Sequence, residues 1–450
     1  MKTQLFAWFV IFSVWSCTKQ ADSTKIPDTP PPNTDGHVMI EEAALYRNNI
    51  TLIQGHFINR ARPQIIDYKK RGQSTYRIKF EAPVVAAVAG GGEGWGYFQF
   101  PKISWSESQT IQVAWQMKPD AVDAYGDDGF NCTLSTDMGK TWTRQAAPPE
   151  VVEYIDLPDG DKLSISTPKP FLLSDYQIQP IPGTNKYLLS GLPEALRAVY
   201  FNRKISGSSD WQTEMAELVD PTALRYSQAN TYFPIVWWGD MQVQADQSLL
   251  AGIYPGHYRE ADGSIPRAGI TFYTSTNNGR KWEFLSRIKN VPVQVGAQYP
   301  VYDYSEPALV RRSGDDHLCV IRTTGSVYSP MFAYLSRDRG QTWGDATIVG
   351  PNGVLPRLLQ LGNGITVLSA GRPGVQLRFS DDRQGTAWSD PFEMIPYSDS
   401  ESILSATCGY TGLLPLDDKS FMIVYSDFKH TTPAGVRKAI ITRKVTIEKI

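Results

Sequence analysis

Hydrophobic and polar residues alternate in short runs along most of the chain, and polar, glycine-containing turns separate these runs. Alternation with a period of two is typical of strands that bury one face, and almost no stretch keeps the longer period of an amphipathic helix. Four of the alternating or apolar runs precede turns of related sequence: 130–134, 270–273, 332–335 and 375–379. The pattern therefore predicts an all-β fold in which hairpins recur and helix is scarce.

The four turns share a Ser, an Asp or Asn two residues later, a Gly and a final Trp. They occupy residues 135–142, 275–282, 336–343 and 380–388, and the last one has an extra residue before its Gly. In such a turn the Asp can accept hydrogen bonds from backbone N–H groups, the Gly can adopt a positive φ, and the Trp can cover the base of the hairpin. One structural unit is therefore expected to recur along the chain.

This turn resembles the Asp-box, or BNR repeat, of the sialidase (neuraminidase) superfamily, and the resemblance extends over roughly residues 85 to 450. It implies an all-β, sialidase-like β-propeller whose Asp-boxes lie on the outside of the blades, far from the active site. We interpret the four turn residues Asp137, Asn277, Asp338 and Asp382 as structural. The long interval between the first two turns leaves room for two blades, one of which has a degenerate edge near 200–211.

The remaining segments complete a six-bladed arrangement in this interpretation. Residues 405–450 would form the closing blade, and residues 37–80 would supply opening strands. We therefore expect a single six-bladed propeller over residues 37–450.

The N-terminus predicts export. Lys2 precedes an apolar run from Leu5 to Trp15 that only Ser13 interrupts. This run is too short to cross about 30 Å of hydrocarbon and is typical of a secretory signal. It ends in a small residue followed by Cys17, which resembles a bacterial lipobox and implies cleavage and lipidation at Cys17. The alternative is an ordinary signal peptide, 1–17, with a chance cysteine.

The Pro-rich segment 18–36 would then be an extended tether. The expected location is the bacterial cell envelope, in the periplasm or at the cell surface, with the lipid anchor as the membrane contact.

Composition excludes other classes of function. The 44 basic and 46 acidic side chains almost balance, whereas a general nucleic-acid binder needs a basic excess. The three cysteines after Cys17 are too few and too odd in number for a disulfide framework. The five histidines are far apart, so neither a metal nor another cofactor is implied. We expect a monomer whose partner is a glycan substrate.

Three later segments resemble the active-site segments of sialidases. The family places a Glu in a strand with the pattern E-x-x-V/L, an Arg at the end of the next strand, a second Arg before a later Asp-box, and a Tyr in the last blade. Glu306, Arg322, Arg372 and Tyr410 match these positions in order. The resemblance implies that Tyr410 is the nucleophile, that Glu306 is its base, and that the two arginines bind the substrate.

The chemistry of a sialoside explains this combination of residues. The sugar carries a carboxylate on its anomeric carbon, which arginines bind through bidentate hydrogen bonds. A neutral Tyr avoids repulsion from that carboxylate, and its free pKa of about 10 requires a nearby base. The resemblance therefore implies an exo-α-sialidase, a glycoside hydrolase that releases a terminal acidic sugar with retention through a glycosyl–tyrosine.

The acid that protonates the leaving oxygen is expected on the loop before the first repeat turn. Asp120, Asp123, Asp127 and Asp128 all lie there, and we favour Asp123 or Asp127. The alternative is that these residues cap turns, because 125–129 is rich in turn-forming residues.

One position departs from the family pattern. Gln99 stands where sialidases carry a first Arg, and a lost clamp of this kind weakens carboxylate binding by roughly 10- to 150-fold. Lys102 could compensate only from the side facing the axis, and alternation puts it on the face opposite Pro101 and Ile103.

This departure keeps two alternatives open. The chain could hydrolyse a different acidic or a neutral sugar, or it could bind glycans without cleaving them. Catalysis, unlike binding, requires Tyr410 and Glu306 to be hydrogen-bonded. Five aromatic residues near the expected mouth suit either sugar stacking or the core: Trp95, Tyr97, Trp237, Trp238 and Tyr254.

Overall fold

The computed structural model describes residues 37–42, 55–70, 75–106, 109–127, 129–290, 303–324, 330–350, 353–396, 402 and 404–450. The predicted signal peptide with Cys17, the predicted tether 18–36, and Asp128 lie outside the described residues.

The described residues form 32 strands and very little helix, which confirms the prediction of an all-β chain. The strands are β1 (His37–Glu41), β2 (His56–Phe57), β3 (Gln64–Lys69), β4 (Thr75–Phe80), β5 (Val84–Val88), β6 (Tyr97–Trp105), β7 (Ile111–Met117), β8 (Phe130–Ser135), β9 (Thr143–Gln145), β10 (Ile155–Asp156), β11 (Lys162–Ser166), β12 (Phe171–Leu172), β13 (Lys186–Leu188), β14 (Val199–Lys204), β15 (Trp211–Val219), β16 (Leu224–Tyr226), β17 (Tyr232–Phe233), β18 (Trp238–Val243), β19 (Leu249–Gly256), β20 (Gly269–Ser275), β21 (Lys281–Ile288), β22 (Tyr304–Arg311), β23 (His317–Thr323), β24 (Met331–Ser336), β25 (Thr347–Gly350), β26 (Val354–Gln360), β27 (Thr366–Gly371), β28 (Val375–Ser380), β29 (Phe392–Ile395), β30 (Thr411–Pro415), β31 (Ser420–Thr432) and β32 (Gly435–Lys449). The helices are α1 (Glu194–Arg197) and the 3-10 helices Val122–Ala124, Leu173–Asp175 and Leu189–Gly191. In the described part of the chain, none of these helices is long and apolar enough to cross a membrane.

Most strands belong to antiparallel sheets that follow the chain order. The orders β6-β7-β8-β9 and β22-β23-β24-β25 are four-stranded sheets, and β26 to β29 form another with β2 added at its edge. An eight-stranded sheet consists of β10-β11-β14-β15 and β18-β19-β20-β21, joined by parallel pairing between β15 and β21. Two small pairs, β12–β17 and β13–β16, lie in the long segment between β11 and β18.

The two ends of the described chain share one sheet. Strands β30, β31 and β32 are consecutive, and both β4 and β5 pair with β32. Early residues therefore complete the last sheet, so the chain is closed by backbone hydrogen bonds between its two ends.

The apolar core is divided among sheets that follow one another in the chain. Each shared cluster contains residues from two such sheets: Ala114 with Val152 at the edge of the next sheet, Phe201 with Trp237, Phe272 with Phe332, Val320 with Leu368, Phe379 with Phe421, and Val424 with Trp115. The last pair joins the final sheet to the first one, so packing also closes on itself.

The four repeat turns have the hydrogen bonds that the sequence predicted. In the first turn the carboxylate of Asp137 accepts the N–H groups of Lys140 and Thr141 at 3.0 and 2.9 Å. The hydroxyl of Ser135 accepts the N–H of Gly139 at 2.8 Å, and Gly139 has a φ of 82°. The side-chain oxygens of Asn277, Asp338 and Asp382 likewise accept backbone N–H groups of their own turns, which agrees with a structural role.

The strands β6, β22 and β26 each leave regular β geometry at the residue before a proline. Phe100, Glu306 and Leu355 have φ values of 51°, 47° and 39°, each directly before a proline and within a register shift against the next strand. Proline cannot donate to the ladder, and a bulge re-aims the neighbouring side chain. Corresponding positive φ values occur at Glu153 and at Gly409.

Candidate active site

Glu306 is the centre of the candidate site. Its carboxylate is only 4% exposed, and one oxygen accepts hydrogen bonds from Arg322 at 2.9 Å and from the hydroxyl of Tyr410. The other oxygen accepts the backbone N–H of Leu355 at 2.6 Å. The structure thus brings together Glu306, Arg322 and Tyr410, which lie in distant parts of the sequence.

The local backbone explains this convergence. Strands β22 and β23 are antiparallel, with Ser305 opposite Arg322, so a Glu that follows Ser305 can meet that Arg. A residue other than Gly with a φ of 47° costs of order 1–3 kcal/mol, so the surrounding fold holds Glu306 in this orientation. The repeat turns lie at the other end of the same sheets, because Ser336 pairs with His317 at the far end of β23.

Two glycines bring Arg372 next to Tyr410. A Cβ atom on Gly371 would lie 2.2 Å from the carbonyl oxygen of Gly409, and a Cβ on Gly409 would lie 2.6 Å from the nitrogen of Arg372. Only glycines therefore allow the end of β27 to touch the segment that leads into β30. This contact places the guanidinium carbon of Arg372 5.7 Å from the centre of the Tyr410 ring.

Arg372 is a cation without a carboxylate partner among the described residues. It donates to the carbonyl oxygen of Cys408 at 3.0 Å and lies 5.7 Å from the centre of the Trp95 ring. Its Nε atom is buried without a hydrogen-bond partner in the described part of the chain. Among the described residues its guanidinium therefore hydrogen-bonds to a neutral carbonyl group and to no carboxylate.

The environment keeps Tyr410 protonated at rest. Burial raises the pKa of Tyr410 well above its usual value, and the negative charge of Glu306 raises it further, while Arg322 acts in the opposite direction. The ring of Phe100 also packs against Tyr410, with ring centres 4.8 Å apart. Tyr410 is therefore a neutral phenol in contact with a carboxylate that can accept its proton.

The loop with the candidate acids flanks this site on two sides. Asp120 accepts a hydrogen bond from Trp95 at 3.0 Å, and the ring of Tyr125 packs against Trp238 at 5.3 Å. Asp123 lies between them on the 3-10 helix Val122–Ala124, and its exposed side chain has no hydrogen bond or ion pair with a described residue.

Asp127 has a different environment. Its carboxylate lies 2.8 Å from the ammonium of Lys169, and the hydrogen bond from Lys169 lowers the pKa of Asp127.

Gln99 and Trp237 are buried. Gln99 is fully inaccessible, and neither its amide nitrogen nor its amide oxygen has a partner among the described residues. A group at this position reaches a ligand only if β6 rearranges. Trp237 packs in the core with Trp282 and Phe201, whereas Trp238 and Tyr254 are half-buried.

A second charged cluster was missed by the sequence analysis. Arg357 of β26 lies 2.8 Å from Glu153, and Lys102 of β6 lies 3.1 Å from the other oxygen of Glu153. One feature of the sequence could have indicated this cluster. A three-residue pattern that ends in a proline and a basic residue occurs at 100–102 and again at 355–357. Lys102 therefore already has an ion-pair partner in Glu153.

Asp240 was also missed. Its carboxylate accepts the N–H groups of Leu309 and Met241 at 3.0 and 2.9 Å, and burial raises its pKa to about 6. It ties β18 to β22. Among the described residues, His, Cys, Asp and Glu side chains form no group of three suited to a metal ion.

No protein-family model matches the chain, and a search of curated proteins finds no significant match. Among solved structures, the chain is similar to a protein of unknown function from Dyadobacter fermentans, with a TM-score of 0.57, 17% identity, and coverage of 82% of this chain and 99% of that one. It is also similar to the Penicillium chrysogenum α-L-arabinanase (TM-score 0.48, 13% identity, 81% and 98% coverage) and to the Hadza microbial sialidase Hz136 (0.47, 13%, 82% and 69%). At such identities, the likeness to the Dyadobacter protein concerns the fold alone.

Proposed function

We propose that this protein is a retaining glycoside hydrolase that releases a terminal acidic sugar, sialic acid, from glycans. The observation that carries the proposal is the hydrogen bond from the Tyr410 hydroxyl to Glu306, on the oxygen that also accepts from Arg322. A nucleophile in contact with a base, and a base oriented by a third group, is the arrangement that covalent catalysis requires.

In the first step the Tyr410 oxygen attacks the anomeric carbon while Glu306 takes the phenolic proton. The bond from that carbon to the leaving oxygen breaks, and Asp123 gives its proton to the leaving oxygen. In the second step water attacks the anomeric carbon of the glycosyl–tyrosine, and Asp123 takes a proton from the water. The bond between that carbon and the Tyr410 oxygen breaks, and Glu306 returns its proton to that oxygen. Two displacements at one carbon give net retention.

Asp123 is a better candidate for the acid than Asp127. A general acid must hold a proton near the working pH, and Lys169 lowers the pKa of Asp127 and so favours its ionised form. Asp123 has no such cation, and a bound substrate would cover its exposed carboxyl group.

Arg372 would bind the carboxylate of the sugar. It has no acidic partner among the described residues, and its contacts with Trp95 and Tyr410 hold it beside the attacking oxygen. Arg322 would contribute a donor not used by Glu306.

We infer that the site lies at one end of a six-bladed propeller. Two four-stranded sheets, the five-stranded sheet, the two halves of the eight-stranded sheet, and the closing sheet support six blades. The core clusters that link each of these sheets to the next, and the last to the first, support the same ring.

We also propose that Cys17 is lipidated and anchors the protein in a bacterial envelope. Metabolic labelling with a palmitate analogue should label the wild-type chain and leave Cys17→Ala unlabelled. Label that persists in Cys17→Ala would contradict the anchor.

A second candidate is a glycosidase for another acidic sugar or for a neutral sugar. The observation that favours it is the burial of Gln99. Arg372 and Arg322 would then have to bind a sugar carboxylate without a third residue, and Arg322 is already paired with Glu306. If no glycoside is cleaved, a propeller that only binds glycans remains.

The test is release of 4-methylumbelliferone from its α-sialoside by the wild type, by Tyr410→Phe and by the control Tyr232→Phe. Tyr232 lies on β17 in the small paired strands, where a change should leave activity intact. Loss of turnover in Tyr410→Phe alone supports the proposal, and unchanged turnover contradicts the nucleophile. Turnover of another glycoside but not the sialoside would establish the second candidate.

A further inference from the structure

A second cation without a carboxylate partner among the described residues lies on β13. Lys186 of β13 has its ammonium 2.9 Å from Nε2 of His257, and 5.1 Å from the centre of the Tyr226 ring. Among the described residues no carboxylate lies within ion-pair distance of Lys186. The charge of Asp303 acts on it only from a greater distance.

The protonation of this pair follows from its burial. Burial lowers the pKa of His257 to about 3 and that of Lys186 to about 8, so at neutral pH the imidazole is neutral and the amine is mainly charged. The ammonium therefore donates to Nε2 of His257. Its other two N–H donors make no hydrogen bond to a described residue.

The structure connects this cation to the proposed nucleophile through strand β19. Tyr254 lies near the end of this strand, and His257 directly follows the strand's last residue, Gly256. The charges of Glu306 and Tyr410 act on Tyr254, so the hydroxyl of Tyr254 is close to both. Lys186 therefore contacts a residue, His257, that is three positions along the chain from Tyr254.

Half-buried aromatic rings form a series of contacts from Tyr254 towards Lys186. Tyr254 packs against Trp238 with ring centres 5.8 Å apart, and Trp238 packs against Tyr125 at 5.3 Å. Burial raises the pKa of Tyr226, and the nearby Tyr125 raises it further. Tyr226 also packs against His257 at 5.6 Å. Partly exposed rings of this kind bind the apolar faces of sugars, because they have a large contact area and few rotatable bonds.

We propose that Lys186, with His257 and Tyr226, binds an acidic group on the part of the glycan beyond the cleaved sugar, and that Tyr125, Trp238 and Tyr254 support the sugars between them. The acidic group is a carboxylate or a sulfate, since both satisfy an ammonium with two free donors. This subsite rests on the proposed function for its place in the reaction, and it narrows the substrate class to glycans with a second acidic group.

The test compares three substrates: 3′-sialyl-N-acetyllactosamine, the same glycan with a 6-sulfate on its N-acetylglucosamine, and α2,8-linked disialyllactose, whose leaving part carries a carboxylate. Lys186→Gln should lower kcat/KM for at least one of the two acidic glycans by about 10- to 150-fold through KM, and leave the first substrate and kcat unchanged. Which glycan loses activity identifies the acidic group. Equal effects on all three substrates, or no effect, would overturn the subsite.

Two further variants separate charge from structure. Lys186→Arg keeps the positive charge and should retain much of the preference for the acidic glycan. Lys419→Gln removes an exposed lysine that pairs with Glu448 at 2.9 Å in the turn between β30 and β31, and should change none of the rates. A preference lost equally in Lys186→Arg and Lys186→Gln would contradict recognition by charge.

Direct titration distinguishes this proposal from the proposed function. If the wild type cleaves none of the substrates, the proposed function fails, and the sulfated and disialylated glycans are titrated into the wild type and Lys186→Gln by calorimetry. Weaker binding of an acidic glycan to Lys186→Gln would support the subsite without the hydrolase. Equal binding to both proteins would overturn it.

Discussion

Glu306 and Glu153 share a backbone feature but differ in their partners. Both have a positive φ at the start of a sheet, 47° and 68°, and each is paired with one arginine, at 2.9 Å to Arg322 and 2.8 Å to Arg357. The third partner differs. Glu306 accepts from the neutral hydroxyl of Tyr410, whereas Glu153 accepts from the ammonium of Lys102.

This difference in partners separates a base from a structural ion pair. A phenol can transfer its proton to the carboxylate and become a nucleophile, but the two cations around Glu153 stabilise its ionised form. Although burial opposes the effect, the charges of Arg357 and Lys102 lower the pKa of Glu153. The same strained backbone position therefore serves two purposes, and the chemistry of the partner decides which one.

The largest expected effect comes from exchanging the two carboxylates for amides in turn. Glu306→Gln removes the base and should lower kcat on the sialoside by about 100- to 10,000-fold, since this is the usual contribution of a general base. Glu153→Gln has the same change in shape and charge and should keep kcat within a few-fold. Initial rates at saturating substrate measure both, and similar losses in the two variants would break the distinction.

The same distinction applies to the loop carboxylates. Asp123→Asn should slow the cleavage of a sialyllactose by about 100-fold or more, and slow the methylumbelliferyl sialoside much less, because a good leaving group needs little protonation. Asp127→Asn only removes the pair with Lys169 and should change either rate little. A leaving-group dependence found in Asp127→Asn instead would reverse the assignment.

The candidate site was predictable from sequence because its residues lie in short segments with a recognisable order. Glu306, Arg322, Arg372 and Tyr410 each stand beside a strand pattern or a repeat turn, and the structure brings all four together. The all-β fold was predictable because strands that bury one face leave an alternating pattern.

The second cluster was not predictable in this way. Glu153 and Arg357 are 204 residues apart, and their contact depends on how separate sheets pack. The burial of Gln99 could not be predicted either. Alternation along a strand predicts which face a side chain occupies, and the positive φ values at Phe98 and Phe100 interrupt that alternation. Local pattern specifies strands, whereas contacts between sheets require the assembled fold.

A smaller effect concerns stability. Arg357→Met leaves Glu153 with only Lys102 and should lower the free energy of unfolding by about 0.5–1.5 kcal/mol, the usual net contribution of one hydrogen bond, because both side chains are half-buried. Urea unfolding of Arg357→Met, Glu153→Gln and the double variant measures the coupling between the two side chains. Strictly additive losses would show that the pair is not an interacting unit.

The smallest expected effect is on the pH dependence of stability. Because the folded protein lowers the pKa of Glu153, the ionised carboxylate stabilises the fold above its unfolded pKa of about 4.3, and this contribution is lost as the pH falls through the lower folded value. The wild type should therefore unfold at a higher temperature than Glu153→Gln near pH 7, and the gap should narrow as the pH falls below about 4. Thermal unfolding of both proteins across this range measures the gap. A gap that stays constant with pH would mean that Glu153 contributes by its shape and hydrogen bonds alone, and the contrast with Glu306 would no longer rest on charge.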